Sequence, residues 1–278
     1  MILTVVVPAR NEAEHITACV DSIFSSARAA DVQVEAIVVD DGSSDGTASS
    51  ADRAGAKVVQ HSTQLGPLAA WATGVAASKS AIVVFVDADC TLDIGAFLPL
   101  LEALAKPTVG VAGGRAVPLR ASSNKSQAYR SACFSSVLLD EIKGRLYNHD
   151  FLPVGRLMAL RRSAWLVKST DQPHCDRVVA AAARAAGWTV AWVPESKVHY
   201  RPPATYGALR ADWERTRVGL RTSAVTFDPV PRAVLLRALW AATRRCPQGG
   251  ISWAMCRSAL LAEGIVRGTN PRGRAVSW

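Results

Sequence analysis

Two aspartates one position apart, Asp87 and Asp89, close the stretch IVVFVDADC at residues 82–90. Five apolar residues lead straight into them, and a run that dense is a buried strand of a parallel sheet. Carboxylates rarely end such a strand without partners. If the chain turns after the strand, both carboxylates can converge, and two hard oxygen donors suit Mg²⁺ or Mn²⁺. The competing reading is a capped turn with two solvated acids. Two more strand-like runs deliver polar groups in the same way. Asp40 and Asp41 end VEAIVVDD, and Pro8, Arg10 and Glu12 lie at the close of VVVPARNE.

The elements that must position these groups alternate. ILTVVVP, VEAIVVD, AKVVQ and AIVVFVD have strand character, and EAEHITACVDSIFSSA and GPLAAWATGVAAS have helical character. Ser44 or Asp45 is the expected N-cap of a short helix after DGSSDGT, and Pro67 stands near the first turn of the next. This order predicts an α/β fold with a mostly parallel central sheet flanked by helices, whose ligands bind beyond the carboxyl ends of the strands. In the second half, VGVAGGRAVPL is expected to be a strand with a Gly-Gly bend at 113–114. Residues 125–143 are expected to be helical, VGRLMALRRSAW a strand and turn, and CDRVVAAAARAAG a helix ending near Gly187 before the strand WTVAWVP. From Tyr206 to about Arg267 the pattern is helical. The predicted division is a domain over 1–200, with halves 1–93 and 94–200, followed by an Arg-rich helical extension over 201–278.

Composition narrows the class. The chain is 49% hydrophobic and 20% charged, which suits a sizeable core and argues against wholesale disorder. No apolar run reaches the length of a membrane span, and MILTVVVPARNE reads as a strand rather than a signal peptide. Six cysteines without C-x-x-C spacing read as reduced and structural, which predicts a cytoplasmic protein. Residues 201–278 carry thirteen arginines and four acids, so all of the net charge of +9 resides there. This is either a solvated helical surface or a contact for an anionic membrane or polyanionic ligand. The stretch VLLRALWAATRR is expected to pack on the main domain, with a membrane interface as the alternative.

The segments VVVPARNE, VVDDGSSDGT and VFVDADC, in this order, resemble the family-two glycosyltransferases of GT-A fold, over a span from Ile2 to about His199. The resemblance implies inverting transfer of one sugar from a nucleotide-diphosphate donor, UDP favoured, to an acceptor hydroxyl, with Mn²⁺ or Mg²⁺ as cofactor. It implies that Pro8, Arg10, Glu12 and Asp41 border the nucleotide, Asp41 at the base. It puts Asp87 at the ribose or the metal's shell, Asp89 on the metal, and His199 as a further ligand. Alignment on Gly187-Trp188 puts the catalytic base at Asp176, with Asp171 a nearby competitor. Gly155 and Gly114 would border the acceptor and sugar. The sequence departs from the family pattern at Cys175, where an acid is usual, and at Gln64, Pro67 and Ala72, so a phosphate-contacting lysine is missing.

Implied partners are the sugar nucleotide and an acceptor that is lipid-linked or phosphorylated. Nucleic acid is not expected, because aromatics are not interleaved with the basic residues. Two alternatives stand beside this reading. One is a non-catalytic sugar-nucleotide-binding homologue. The other starts from VVFVDADCTL, which also fits the first motif of haloacid-dehalogenase phosphatases with Asp87 as nucleophile. Dinucleotide-binding enzymes are set aside because no G-x-G-x-x-G follows the first strand.

Overall fold

A computed structural model describes residues 2–119, 133–134, 136–138, 140–142, 155–167, 175–202, 205, 207–208 and 232–245. The chain forms two compact units, Met1–Val117 with Asp150–Arg201, and Pro118–His149 with Pro202–Trp278.

The first unit is built on an eight-stranded sheet. Its strands are β1 (Ile2–Ala9), β2 (Gln33–Asp40), β3 (Lys57–Gln60), β4 (Ile82–Val86), β5 (Cys90–Leu92), β6 (Val109–Pro118), β7 (Leu157–Arg161) and β8 (Thr189–Tyr200). They lie in the order β3-β2-β1-β4-β7-β6-β8-β5. Four strands pair in parallel, with Ala9 opposite Asp40 and Asp40 opposite Gln60, so their carboxyl ends share one edge.

Both faces of this sheet are covered, which explains why the strands are apolar throughout rather than alternating. Leu3, Val5 and Val7 of β1 pack with the buried stripe Ile16, Cys19, Val20, Ile23 and Ala27 of α1 (Ile16–Ala29). Val6, on the opposite face, packs with Leu68, Trp71 and Val75 of α3 (Pro67–Ala77). Pro67 opens α3, where its missing N–H is no loss. Gly74 lets that helix approach β1 closely: a Cβ there would lie 2.3 Å from Val6 Cγ1. Trp71 stacks on Phe85 of β4 with centroids 4.2 Å apart.

The sheet departs from the expected mostly parallel arrangement in its second half. β7 runs antiparallel to both β4 and β6, and β5 antiparallel to β8. The sheet is therefore mixed. An apolar run shows that a strand is buried but not which way it runs, so the reversal of β7 has no signal in VGRLMALRRSAW. Two elements had no sequence expectation, β5 and α4 (Phe97–Ala105). β5 has three residues, too few for a periodic signal, and Pro99 interrupts the helical pattern of α4 although in a first turn it costs no hydrogen bond. α2 (Thr47–Arg53) has Gly46 at its N-cap, not Ser44 or Asp45. Asp45 instead accepts the Thr47 N–H from just outside the helix, at 3.0 Å. α5 (Cys175–Ala185) ends as expected before Gly187, whose φ of +89° suits glycine.

In the second unit, α6 (Arg232–Arg245) buries Ala238 and Ala242 and exposes Leu236 and Trp240. The Arg244 guanidinium lies 4.7 Å from the Trp240 ring centroid. The rest of the helical expectation for 206–267 falls almost wholly outside the described residues, as does most of that for 125–143. No helix among the described residues is long and apolar enough to cross a membrane.

Candidate active site

The loops after β1 and β2 are laced together. The Asn11 N–H donates to Ser43 Oγ at 2.9 Å, and the Ser44 N–H donates to Asn11 Oδ1 at 2.9 Å. The Glu12 N–H donates to Thr47 Oγ1 at 2.8 Å, and the Ala13 N–H to Asp45 Oδ2 at 3.2 Å. These bonds hold Asn11 at a φ of +56°, a conformation Asn tolerates. Pro8 is half-buried and in register with Val39. Arg10 is exposed, and the half-buried Glu12 pairs with His15 Nδ1 at 2.8 Å.

Asp40 and Asp41 are both buried, for different ends. Asp40 accepts the Ser43 N–H at 2.9 Å and Gln60 Nε2 at 3.2 Å, closing the turn. Asp41 Oδ1 accepts from His61 Nδ1 and the Leu65 N–H, and Oδ2 from the Gly66 N–H, each at 2.8 Å. Burial alone would raise the Asp41 carboxyl, but these bonds and the His61 side chain hold it below the ordinary carboxylate value. His61 Nε2 continues the chain to Thr73 Oγ1 at 2.9 Å. Asp41 thus fixes the 61–66 loop to α3, with one of its four acceptor sites left. Gly42 is required here: its φ is +72°, and a Cβ would meet the Gln64 nitrogen at 2.9 Å.

The acidic pair sits at the join of β4 and β7. The antiparallel register runs one step past Val86–Leu157, so Asp87 faces Arg156 and its N–H donates to the Arg156 carbonyl at 3.3 Å. The Arg156 Nη1 lies 3.7 Å from Asp87 Oδ2 and 3.4 Å from Asp89 Oδ2. Its guanidinium carbon is 4.3 Å from the Tyr200 ring centroid. Cys90, opposite Tyr200 in the β5–β8 ladder, places Sγ 3.2 Å from Asp89 Oδ1. Desolvation by surrounding protein raises the Asp87 carboxyl to about 6. Arg156 opposes that rise, and the charges of Asp89, Asp176 and Glu12 add to it.

The residues present fit a divalent cation. Ligand atoms of Asp87, Asp89 and Cys90 all lie within 4.8 Å of one another. Two carboxylates are the donors that Mg²⁺ and Mn²⁺ favour. The Cys90 thiol is pushed up by burial first and then by Asp87, so it stays protonated beside them.

Asp176, in the first turn of α5, faces the same edge. A Cβ on Gly155 would lie 3.2 Å from the Asp176 carboxyl carbon, so the glycine leaves room beside that carboxylate. The neighbouring Cys175 is buried and its thiol is pushed up by desolvation, then by Asp176 and Asp87. Asp171 lies outside the described residues. Gly114 is buried in β6, where a Cβ would meet Leu157 Cδ2 and the Ser196 carbonyl at 2.7 Å, so its position serves close strand packing. His199 pairs with Thr91 in the ladder, one residue out of step with Tyr200 and Cys90, and so points to the other face of the strand. Its Nε2 bonds Asp93 Oδ1 at 2.7 Å.

The structure therefore gathers Asp87, Asp89, Gly155 and Asp176, while Asp41 lies in the neighbouring loop system and His199 on the far face of β8. Sequence reasoning missed Arg156 and His61. The Gly-Arg pair heading the apolar run LMAL carried a signal for the first. His61, immediately after β3 at the shared edge, carried one for the second.

Residues 4–166 match the family described as Glycosyl transferase family 2. The chain is 34% identical over 152 residues to the pre-mycofactocin glycosyltransferase of Mycobacterium tuberculosis (strain CDC 1551 / Oshkosh), which covers 53% of this chain and 30% of that protein. It thus spans less than a third of the length of that relative. Among solved structures, a mannosyltransferase from Pyrobaculum calidifontis in complex with GDP-Man and Mn²⁺ superposes with a TM-score of 0.63 at 21% identity, over 96% of this chain and 76% of the other. S. aureus TarS 1-349 in complex with UDP-GlcNAc superposes with a TM-score of 0.55 at 15% identity, over 94% and 79%. At these identities the likeness is one of fold.

Proposed function

This chain belongs to glycosyl transferase family 2, and from that membership we propose that it transfers a single sugar, with inversion, from a nucleotide-diphosphate sugar to an acceptor hydroxyl. Residues 1–200 form the catalytic domain, with the nucleotide half at 1–93 and the acceptor half at 94–200. The observation that best supports this reading is the meeting of Asp87, Asp89, Arg156, Gly155 and Asp176, from three separate parts of the sequence, around one sheet edge.

Asp176 takes the proton of the acceptor hydroxyl as its oxygen attacks the anomeric carbon from the face opposite the diphosphate. The bond from that carbon to the phosphate oxygen breaks, and its electron pair leaves with the diphosphate. Such a base contributes ~10²–10⁴-fold. Gly155 gives the acceptor access to Asp176. Asp89, with Asp87, would hold Mn²⁺ or Mg²⁺, which neutralises charge on the departing diphosphate. For His199 to join them, its Nε2 would have to leave Asp93. Pro8, Arg10 and Glu12 border the nucleotide. Asp41 orders the base-side loop and offers its remaining acceptor site to an imide N–H, which favours uracil. Residues 201–278 are proposed to bring the chain to an anionic, lipid-linked or phosphorylated acceptor, with the exposed Leu236 and Trp240 of α6 as an interfacial face.

A thermal-shift screen of UDP, GDP and their sugars with and without Mn²⁺ tests this. One diphosphate at ~100 times its dissociation constant should add ~2.7 kcal/mol of stability, and only with the metal. The shift should vanish in Asp89→Ala. Asp176→Asn should keep the shift while slow hydrolysis of the sugar nucleotide falls. A shift that survives Asp89→Ala rules out the metal assignment.

A further inference from the structure

Arg156 is held in an unusual way for an ion-paired arginine. A single nitrogen, Nη1, faces both Asp89 oxygens at 3.4 Å, Asp87 Oδ2 at 3.7 Å and Cys90 Sγ at 3.7 Å. Charge-assisted hydrogen bonds are shorter, about 2.7–2.9 Å, and arginine–carboxylate pairs commonly use two nitrogens in a fork. Neither is present. The guanidinium is instead positioned by the Tyr200 ring and by the backbone bond that sets Arg156 opposite Asp87. Its positive charge is centred between two carboxylates without being locked on either, and it stands beside the ligand atoms that a divalent cation would use.

Resting on the function proposed above, we propose that Arg156 takes the place of the divalent cation at Asp87 and Asp89 until a sugar nucleotide arrives, so that the ion and the diphosphate bind together and the ion alone binds poorly. The charge balance requires this order. Two carboxylates already neutralised in part by a guanidinium attract a bare divalent ion weakly, and the ion and Arg156 repel one another at close range. A diphosphate changes both terms. It brings anionic oxygens to the ion, and it gives the guanidinium an acceptor that matches its fork. The coupling is reciprocal: the factor by which the diphosphate tightens the ion equals the factor by which the ion tightens the diphosphate.

The test reads binding, not turnover. Mn²⁺ is titrated into the full chain at pH 8, alone and with UDP or GDP, with free ion followed by electron paramagnetic resonance and stability by thermal shift. The Arg156→Gln variant should bind Mn²⁺ alone about tenfold more tightly than the wild type, equivalent to about 1.4 kcal/mol. The enhancement by the diphosphate should shrink by a similar factor. Arg156→Lys keeps the charge and loses the fork. It should therefore bind the bare ion as weakly as wild type and still show reduced coupling, and it serves if the glutamine variant does not fold. A merely structural arginine would lower the melting temperature of its variants and leave both affinities unchanged. Equal Mn²⁺ affinity in wild type and folded Arg156→Gln overturns the role of Arg156 alone. Failure of the wild type to bind Mn²⁺ even with a diphosphate overturns the metal reading beneath it as well.

Discussion

Asp87 and Asp41 carry opposite pH dependences. The Asp87 carboxyl is raised to about 6 in the folded chain, chiefly by desolvation. Between the ordinary carboxylate value of about 4 and this one, the folded state holds a proton that the unfolded state has released, so stability falls as pH rises through that window. In chelator-treated protein, denaturation followed from pH 4 to 8 should show this decline, and Asp87→Asn should flatten it. The Mn²⁺-dependent nucleotide shift should in turn weaken below about pH 6, where the protonated Asp87 no longer attracts the ion. Asp41 is lowered, so its contribution is complete above the unfolded value and disappears as pH falls through the folded one. Asp41→Asn keeps one oxygen for His61 and the Leu65 N–H but turns its NH2 against the Gly66 N–H, and should cost on the order of 1–3 kcal/mol at neutral pH, measured by urea denaturation. That Asp87 and Asp89 end a buried strand was legible in the sequence, and the family resemblance pointed to Asp176, which the structure sets beside Gly155. Arg156 and His61 stood at strand ends that could have flagged them, but their partners depend on an antiparallel register and a loop path that the local pattern does not specify.

At the scale of elements, α3 approaches β1 closely at Gly74. Gly74→Ala drives a methyl into Val6, and overpacking of this kind costs ~1–3 kcal/mol. Its melting temperature should fall, with the far-ultraviolet circular dichroism spectrum kept. An unchanged melting temperature would mean that α3 slides at no cost. The first four strands and α1 and α3 were readable, since the strands are dense apolar runs set off by turn residues and the helices show a clear apolar pattern. The short β5, the Pro-bearing α4 and the reversal of β7 were not. Apolar runs show burial, not direction, and the direction of β7 decides which of its ends meets the acids.

For the whole molecule, the net charge of +9 resides in residues 201–278. The exposed Leu236 and Trp240 of α6, with Arg237 and Arg244 on the same exposed face, predict co-sedimentation with vesicles containing anionic phospholipid. Binding should fall with added salt, as surface electrostatics do, and should fall further in the Leu236→Ala, Trp240→Ala double variant. Retention by that variant equal to wild type would remove this face from the membrane proposal. The arginine bias was evident in the sequence, but which side chains α6 turns outward was not, because VLLRALWAATRR has apolar residues around much of its circumference. The opposed run of β7 against β4 has a last consequence for engineering. Gly155 and Arg156, immediately before β7, are delivered straight to Asp176 and Asp87, while β1 to β3 and their loops are assembled from an earlier, separate portion. Substitutions at Gly155 therefore change the room beside Asp176 without touching the loops after β1 and β2.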